Sequence, residues 1–204
     1  VAPKPAANLL VLTFRRRQSG FLAGALAAML TRAGLLAGVY GPGDADDQAY
    51  RTGYEDGATY VRPGITVFGA FQSAGEPYND PSWGAAQAGT FSSQGADVIF
   101  SAGGDTGLGG LRGTAAAGRL CISSELPANM TYPSCLVANT TVALDRGVVL
   151  ALQRVRTHWT SGTLTLGLAE NAVGLQTFGV EPAIQQRLDD MSQQLAQGSL
   201  DRLG

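Results

Sequence analysis

Between Tyr78 and Gly110 the sequence reads YNDPSWGAAQAGTFSSQGADVIFSAGGDTGLGG. The short apolar run Asp97-Val98-Ile99-Phe100 opens into Ser101-Ala102-Gly103-Gly104-Asp105-Thr106-Gly107, and Leu108 to Ala117 can be helical again. A strand that yields to a glycine loop and then to a helix points backbone N–H groups at whatever lies above the strand end. Tyr78 and Trp83 flank Asp80 on the preceding loop, where exposed aromatics can stack on a flat ring. Glu125 follows the run Leu120 to Ser124, and a carboxylate there can accept two hydrogen bonds from a diol. These residue types bind; they do not spell out catalysis. The chain holds no GxSxG, HExxH or GxxxxGK[ST] stretch, and the glycine spacing departs from the dinucleotide GxGxxG.

The remaining chemistry-bearing residues read more plainly. His158 is the sole histidine, beside Trp159, and reads as solvent-facing. Asp44, Asp46 and Asp47 could bind a cation, but capping and helix-dipole complementation suit them better, with Asp46 or Asp47 as the cap. There is no CxxC and only one histidine, so a zinc site of the His/Cys type is not expected, and with the glycine spacing off the dinucleotide pattern no cofactor is expected either. Cys121 and Cys135 could close a short disulfide loop or stay free. Asn129-Met130-Thr131 and Asn139-Thr140-Thr141 match the N-glycosylation pattern, which is informative only in a secretory setting.

These residues need elements to place them. Strands are expected at Asn8–Phe14, Leu35–Tyr40, Ile65–Phe71, Asp97–Phe100, Leu120–Ser124 and Thr163–Leu168, with Leu136–Thr141 and Asn171–Phe178 extended. Helices are expected at Gln18–Thr31, Gln48–Tyr60, Ala85–Phe91, Leu108–Ala117, Val142–Arg156 and Glu181–Gln197. The basic run Arg15-Arg16-Arg17 reads as a solvated face. Strand–helix alternation predicts an α/β fold, a Rossmann-like parallel sheet flanked by helices on both faces. In such sheets ligands sit outside the carboxyl ends of the strands.

Composition narrows the partners. The 204 residues carry a formal net charge of −2 with 15% charged residues, so no basic field recruits nucleic acid. No window reaches the ~18 consecutive apolar residues of a membrane span.

The motifs together resemble one family. Phe14-Arg15 with Gly20-Phe21-Leu22-Ala23-Gly24 looks like its FRxxxxGFLAG, and Gly53-Tyr54-Glu55-Asp56-Gly57-Ala58 like its GFxxGA. Asp80-Pro81-Ser82-Trp83-Gly84 is similar to DPxKG, and Gly95 to Gly107 to GADVIFxAAGGTG. Gly167-Leu168 and Val173-Gly174-Leu175 fit its closing segment. This is the BMP (basic membrane protein) family of extracytoplasmic substrate-binding lipoproteins, which includes the purine nucleoside receptors of ABC transporters.

The resemblance implies a type I periplasmic binding protein with two lobes, of which this chain carries mainly the second. On that plan residues 1–34 form a partial first-lobe strand and crossover helix. Residues 35–135 form the ligand-binding lobe, 136–160 a crossover and first-lobe helix, and 161–204 the return segment and C-terminal helix. On that plan the first lobe's opening elements would be missing, and the apolar side of helix 142–156 (Val148, Val149, Leu152, Val155) would be a surface for another chain, such as a second copy in a homo-oligomer. The resemblance further implies a nucleoside-like ligand, an ABC permease partner, and a membrane attachment only through a lipid anchor outside this chain. Its site maps to Tyr78, Asp80, Trp83, Gly103, Gly104, Thr106, Glu125 and Asn139. Tyr78 would stack on the base, Glu125 would take the ribose hydroxyls, and Asn139 stands at the family's serine. Val142 and Trp83 replace two of its lysines. The rival expectation is an interaction or sensor module derived from the same lobe, without a ligand; a Rossmann-type enzyme would need an acid–base set that the sequence does not present.

Overall fold

The structure, a computed structural model, describes residues 6–73, 75–127, 133–157 and 161–200. The expectations for His158, Trp159 and the Asn129 glycosylation pattern fall outside them. In chain order the elements are β1 (Leu10–Phe14), α1 (Arg16–Leu30), β2 (Leu35–Tyr40), α2 (Ala45–Val61), β3 (Thr66–Phe71), α3 (Pro81–Ser93) and β4 (Val98–Ser101). Then come α4 (Gly104–Ala116), β5 (Leu120–Ser124), β6 (Leu136–Val142), α5 (Leu144–Thr157), β7 (Gly162–Leu166), β8 (Val173–Thr177) and α6 (Pro182–Ala196).

The main sheet has the order β3-β2-β4-β5-β6-β8. Its strands are parallel except β8, which pairs antiparallel with β6, from Ala138 opposite Thr177 to Val142 opposite Val173. The chain moves outward from β2 to β3 and then returns to the other side of β2 with β4. The order reverses there, so the loops after β2 and β4 diverge and leave a crevice at their carboxyl ends. One face carries α1, α2 and α6, the other α3 and α4. The first face holds the larger core: Phe21, Leu22, Leu26, Leu36, Val98, Phe100, Ile122, Leu188 and Met191. Tyr54 stacks on Phe100 with ring centroids 5.3 Å apart. Ala37, Val39, Ala88, Phe91 and Ile99 fill the α3 side.

Glycine makes the helix layers thin. Gly20 and Gly24 of α1 lie directly on the backbone of Tyr50 and Tyr54 of α2, and Gly53 and Gly57 of α2 on that of Arg17 and Phe21. Gly84 and Gly109 make the same close approach between α3 and α4. No side chain separates these helices, which accounts for much of the high glycine content.

A second, two-stranded sheet pairs β1 with β7 in parallel. α5 rests on it through Gly147, whose open side faces the Phe14 ring and Leu166. Three segments join this unit to the main body: Arg15, Ala143, and residues 167–172. They are laterally bonded, Arg15 N–H to the Leu166 carbonyl at 2.8 Å and Ala143 N–H to the Ala172 carbonyl at 2.9 Å.

Residues 136–142 form a strand inside the main sheet. α1 packs on α2 and that sheet rather than with β1, and β8 and α6 likewise join the main body. Residues 136–142 carry Asn139 and Thr140 fully inside, which only paired polar groups permit. Asn139, 2% exposed, is therefore no accessible glycosylation site in the folded chain. Cys121 and Cys135 form a disulfide, with Cα atoms 5.2 Å apart, at the start of β5 and just before β6.

Candidate ligand-binding site

A cleft of about 680 Å³ opens at the carboxyl ends of β2, β4 and β5. That size suits a small organic ligand. Four loops and one helix end build it. The loop after β2 ends in Asp44, which caps α2 by accepting from the N–H groups of Asp46 and Asp47 at 3.0 Å each. The cap is thus Asp44, two and three residues before the two aspartates expected, and α2 starts at Ala45 rather than Gln48.

Tyr78 comes from the loop before α3 and adopts φ 63°. Two bonds fix its backbone: its N–H donates to Gln72 Oε1 at 3.0 Å, and its carbonyl accepts from Thr106 N–H at 3.3 Å. Gln72 in turn accepts from the Thr106 hydroxyl at 3.0 Å. The ring lies against Gly41, where a Cβ would meet it at 2.5 Å, and remains 37% exposed. Partial burial raises the Tyr78 phenol above its ordinary value, and the Asp44 and Asp47 carboxylates beside it raise it further. Burial pushes the Asp47 carboxyl up, against the N–H of Gly43, which it accepts at 3.1 Å.

The loop after β4 supplies Ser101 to Gly104. Gly103 has φ 99° and lies so close to Gly41 that a Cβ would meet its N at 2.4 Å; any side chain there would fill the crevice. No side chain caps α4.

Glu125 leaves β5 with φ 51°, a second non-glycine residue in the left-handed region. Such residues cost about 1 kcal/mol or more and cluster where a site requires them. Its Oε1 accepts from Arg16 Nε at 2.7 Å and from the Tyr50 hydroxyl at 2.8 Å. Tyr50 also receives the Thr140 hydroxyl at 3.2 Å. Burial, then the charge of Glu125, raises the Tyr50 phenol far above its ordinary value, so it is a fixed donor. Arg16 reaches Asp46 as well, at 3.0 Å. Burial works against the Arg16 charge, but the Glu125 bond and the surrounding acids outweigh it and hold the guanidinium charged.

The cleft brings together Tyr78, Gly103, Gly104 and Glu125 of the expected residues. The other four stand elsewhere. Asp80 caps α3, accepting from Trp83 N–H at 2.9 Å. Trp83 packs with Phe91 and Ala88 on the α3 side of the sheet, away from the cleft, because it sits in the first turn of α3 and its ring takes the apolar face. Thr106 is wholly buried, between Asp80 N–H and Gln72. Asn139 is spent on Ser123 and Leu126.

Sequence reasoning missed Arg16, Tyr50, Asp105, Leu108 and Leu111 in the lining. Arg16 left one signal. It occupies the first position of α1, where a cation opposes the helix dipole. It is part of the cleft, not of a solvated basic face. Five carboxylates (Asp44, Asp46, Asp47, Asp105, Glu125) surround the cleft against this single guanidinium. Among the described residues no group of three His, Cys, Asp or Glu is placed to hold a metal ion.

Solved structures share this architecture. A transcriptional activator of the comK gene from Bacillus halodurans superposes with TM-score 0.81 at 18% identity, covering 95% of this chain and 67% of that one. An ABC transporter solute-binding protein from Aeropyrum pernix K1 gives TM-score 0.79 at 17% identity, covering 98% and 67%. At such identities the likeness establishes the fold, that of periplasmic binding proteins of type I. In sequence, Basic membrane protein A of Borreliella afzelii is 30% identical over 178 residues, 84% of this chain and 53% of that protein. Basic membrane protein D of Borreliella burgdorferi strain JD1 is 27% identical over 173 residues, 82% of this chain and 50% of that protein. The chain spans about half the length of the curated relatives it matches. The model of the Bmp family, described as ABC transporter substrate-binding protein PnrA-like, matches residues 1–201, and the chain belongs to that family.

Proposed function

We propose that this chain supplies the ligand-binding face of an extracytoplasmic receptor for an ABC-type uptake system, and that its ligand is an uncharged, nucleoside-like molecule held between two lobes. The observation that carries the reading is the meeting of Tyr78 and Glu125 across one cleft, each a non-glycine residue in a left-handed conformation. Tyr78 offers a ring for stacking on a base. Glu125, with Arg16 and Tyr50 fixing it from below, keeps Oε2 for a ligand hydroxyl; its bond to Arg16 there is long, 3.4 Å. Gly103 and Gly104 let the ligand approach the backbone.

The excess of carboxylates argues for a nucleoside over its phosphate. A phosphate dianion entering among five carboxylates meets like charge at short range, and one guanidinium already engaged twice does not offset it. An extracytoplasmic location and a permease partner accompany the reading, supported by the family and by the names of the relatives.

Isothermal titration of the chain, and of the full-length product of its reading frame, with inosine, guanosine, adenosine, inosine 5′-monophosphate and ribose tests it. Heat with nucleosides and about a hundredfold weaker binding of the monophosphate are expected. Absence of nucleoside heat from both well-folded forms removes the nucleoside reading.

A second reading, a module that docks to another chain, is favoured by α5. Leu144, Val148, Val149 and Leu152 are all more than half exposed on it. A homo-oligomer through this helix belongs to that reading, and sedimentation of Val149→Asp against the wild type tests it.

A further inference from the structure

Resting on the binding reading above, we propose that Asn139 is a positioning residue: its buried side-chain amide sets the turn that aims Glu125 into the cleft. Asn139 lies in the middle of β6, opposite Ser123 of β5. It is 2% exposed. A buried amide is tolerated only when its donors and acceptor are matched. Here Oδ1 accepts from the Ser123 hydroxyl at 2.8 Å and from Leu126 N–H at 3.0 Å, and Nδ2 donates to the Leu126 carbonyl at 3.3 Å.

The pattern at Leu126 is that of a strand neighbour. Its N–H and its carbonyl both bond to one partner, as they would to the backbone of an adjacent strand. But β5 has ended at Ser124, and the partner is a side chain. One residue earlier, Glu125 N–H donates to the Thr140 carbonyl at 2.8 Å. Three backbone groups of two adjacent residues, Glu125 N, Leu126 N and Leu126 O, are therefore pinned to β6 by residues 139 and 140. Between these pins the chain takes the left-handed conformation of Glu125. A non-glycine residue stays there only when its surroundings over-determine it. The conformation turns the Glu125 carboxylate back toward Arg16 and Tyr50, from which it accepts at 2.7 and 2.8 Å.

Side-chain length makes the role specific. Serine or alanine at 139 cannot span to Leu126, and threonine offers no second group to engage both N–H and carbonyl. Without the amide, only the Thr140 carbonyl still pins the turn, and Glu125 can relax toward an ordinary right-handed or extended backbone, which draws its carboxylate away from Arg16 and Tyr50. Asn139 would touch no ligand, and its loss would be felt through Glu125.

The experiment compares wild type, Asn139→Ala and Asn139→Ser in the full-length product by amide hydrogen exchange and by titration with inosine. Serine, with a hydroxyl to pair with Ser123, guards against a variant that fails to fold. Expected is a rise of tenfold or more, to order of magnitude, in exchange at the Leu126 amide, with the Ile122 and Ala138 amides of the same strand pair unchanged. Inosine affinity falls about tenfold alongside. The proposal is overturned if Leu126 exchange is unaltered, or if Ile122 and Ala138 lose protection in step with it, since that is the mark of a general core role. The exchange readout needs no ligand, so a wild type that gives no inosine heat refutes the nucleoside reading and leaves the positioning claim to be decided on its own.

Discussion

Gly24→Ala would test the architecture that places the cleft. A Cβ on Gly24 would lie 2.7 Å from the Tyr54 carbonyl carbon and 2.9 Å from its Cα, with the carbonyl oxygen nearer still. Ordinary contact begins near 3.4 Å, so the carbonyl carbon alone asks for about 0.7 Å of separation and the carbonyl oxygen for roughly twice that, and neither neighbour is a side chain that can rotate away. Overpacking of this kind costs about 1–3 kcal/mol, and rigid backbone on both sides puts it at the upper end. Alanine's better helix propensity returns about 1 kcal/mol. The net loss is then about 2 kcal/mol, which at a urea slope of about 2 kcal/mol/M lowers the midpoint by about 1 M. Gly89→Ala on α3 is the control. Its Cβ would meet nothing within 4 Å, so the propensity gain stands alone and the midpoint should rise. The same shift parts Arg16, on α1, from its partner Asp46 on α2 at 3.0 Å, and from Tyr50 on α2, with which it shares the Glu125 carboxylate at 2.7 and 2.8 Å. Binding should weaken with stability. A Gly24→Ala chain as stable as Gly89→Ala would refute the backbone-on-backbone account of the α1–α2 contact.

Three further outcomes follow from single interactions. Replacing Cys121 and Cys135 by alanine opens a loop of sequence separation 14 and should cost about 3 kcal/mol, read as a fall in thermal midpoint. Tyr50→Phe deletes a buried donor to a carboxylate and should cost about 1.5–3 kcal/mol by urea unfolding, with thermal and urea rankings agreeing. At Asp97, partial burial pushes the carboxyl up, but the Thr31 hydroxyl and the N–H groups of Ala33 and Arg32 outweigh it, so it lies below the usual carboxylate range. The unfolded chain thus takes up this proton at higher pH than the folded one. Its stabilisation is complete above the unfolded value, about pH 4, and is lost as pH falls through the folded value. Asp97→Asn should flatten the fall of the urea midpoint between about pH 6 and about pH 3; an unchanged slope would contradict the assignment.

What the sequence revealed and what it hid have physical reasons. The strand-to-glycine-loop transition at Phe100–Gly107 was legible because an apolar four-residue run and a glycine cluster leave little else to form. Glu125 was legible as the first charge after a buried strand. The burial of Asn139 and Thr140 in β6 was hidden because it depends on partners in β5, in α2 and beyond Ser124, which no local pattern encodes. Arg16 was misread for a related reason. Three arginines in a row suggest a solvated face, yet Arg17 turns to Asp56 and Arg16 to Glu125, which is 109 positions away. Trp83 shows the converse: an aromatic on a loop beside Asp80 suggested a binding role, while the helix it begins packs it against the apolar cluster of Ala37, Val39, Ala88, Phe91 and Ile99. Long-range polar pairing, rather than periodicity, separates the residues seen from those missed.

The three segments that leave the main body for β1, α5 and β7 have a mechanical consequence. A single tether would act as a swivel, allowing rotation about its own axis as well as bending. Three tethers side by side, cross-bonded at Arg15–Leu166 and Ala143–Ala172, behave as a strap: twisting would shear both cross-bonds, whereas folding along the line through the tethers disturbs neither. Motion of the β1–β7 pair against the main sheet is then expected along one angular coordinate, and an opening measured between two labels should describe an arc rather than a cone.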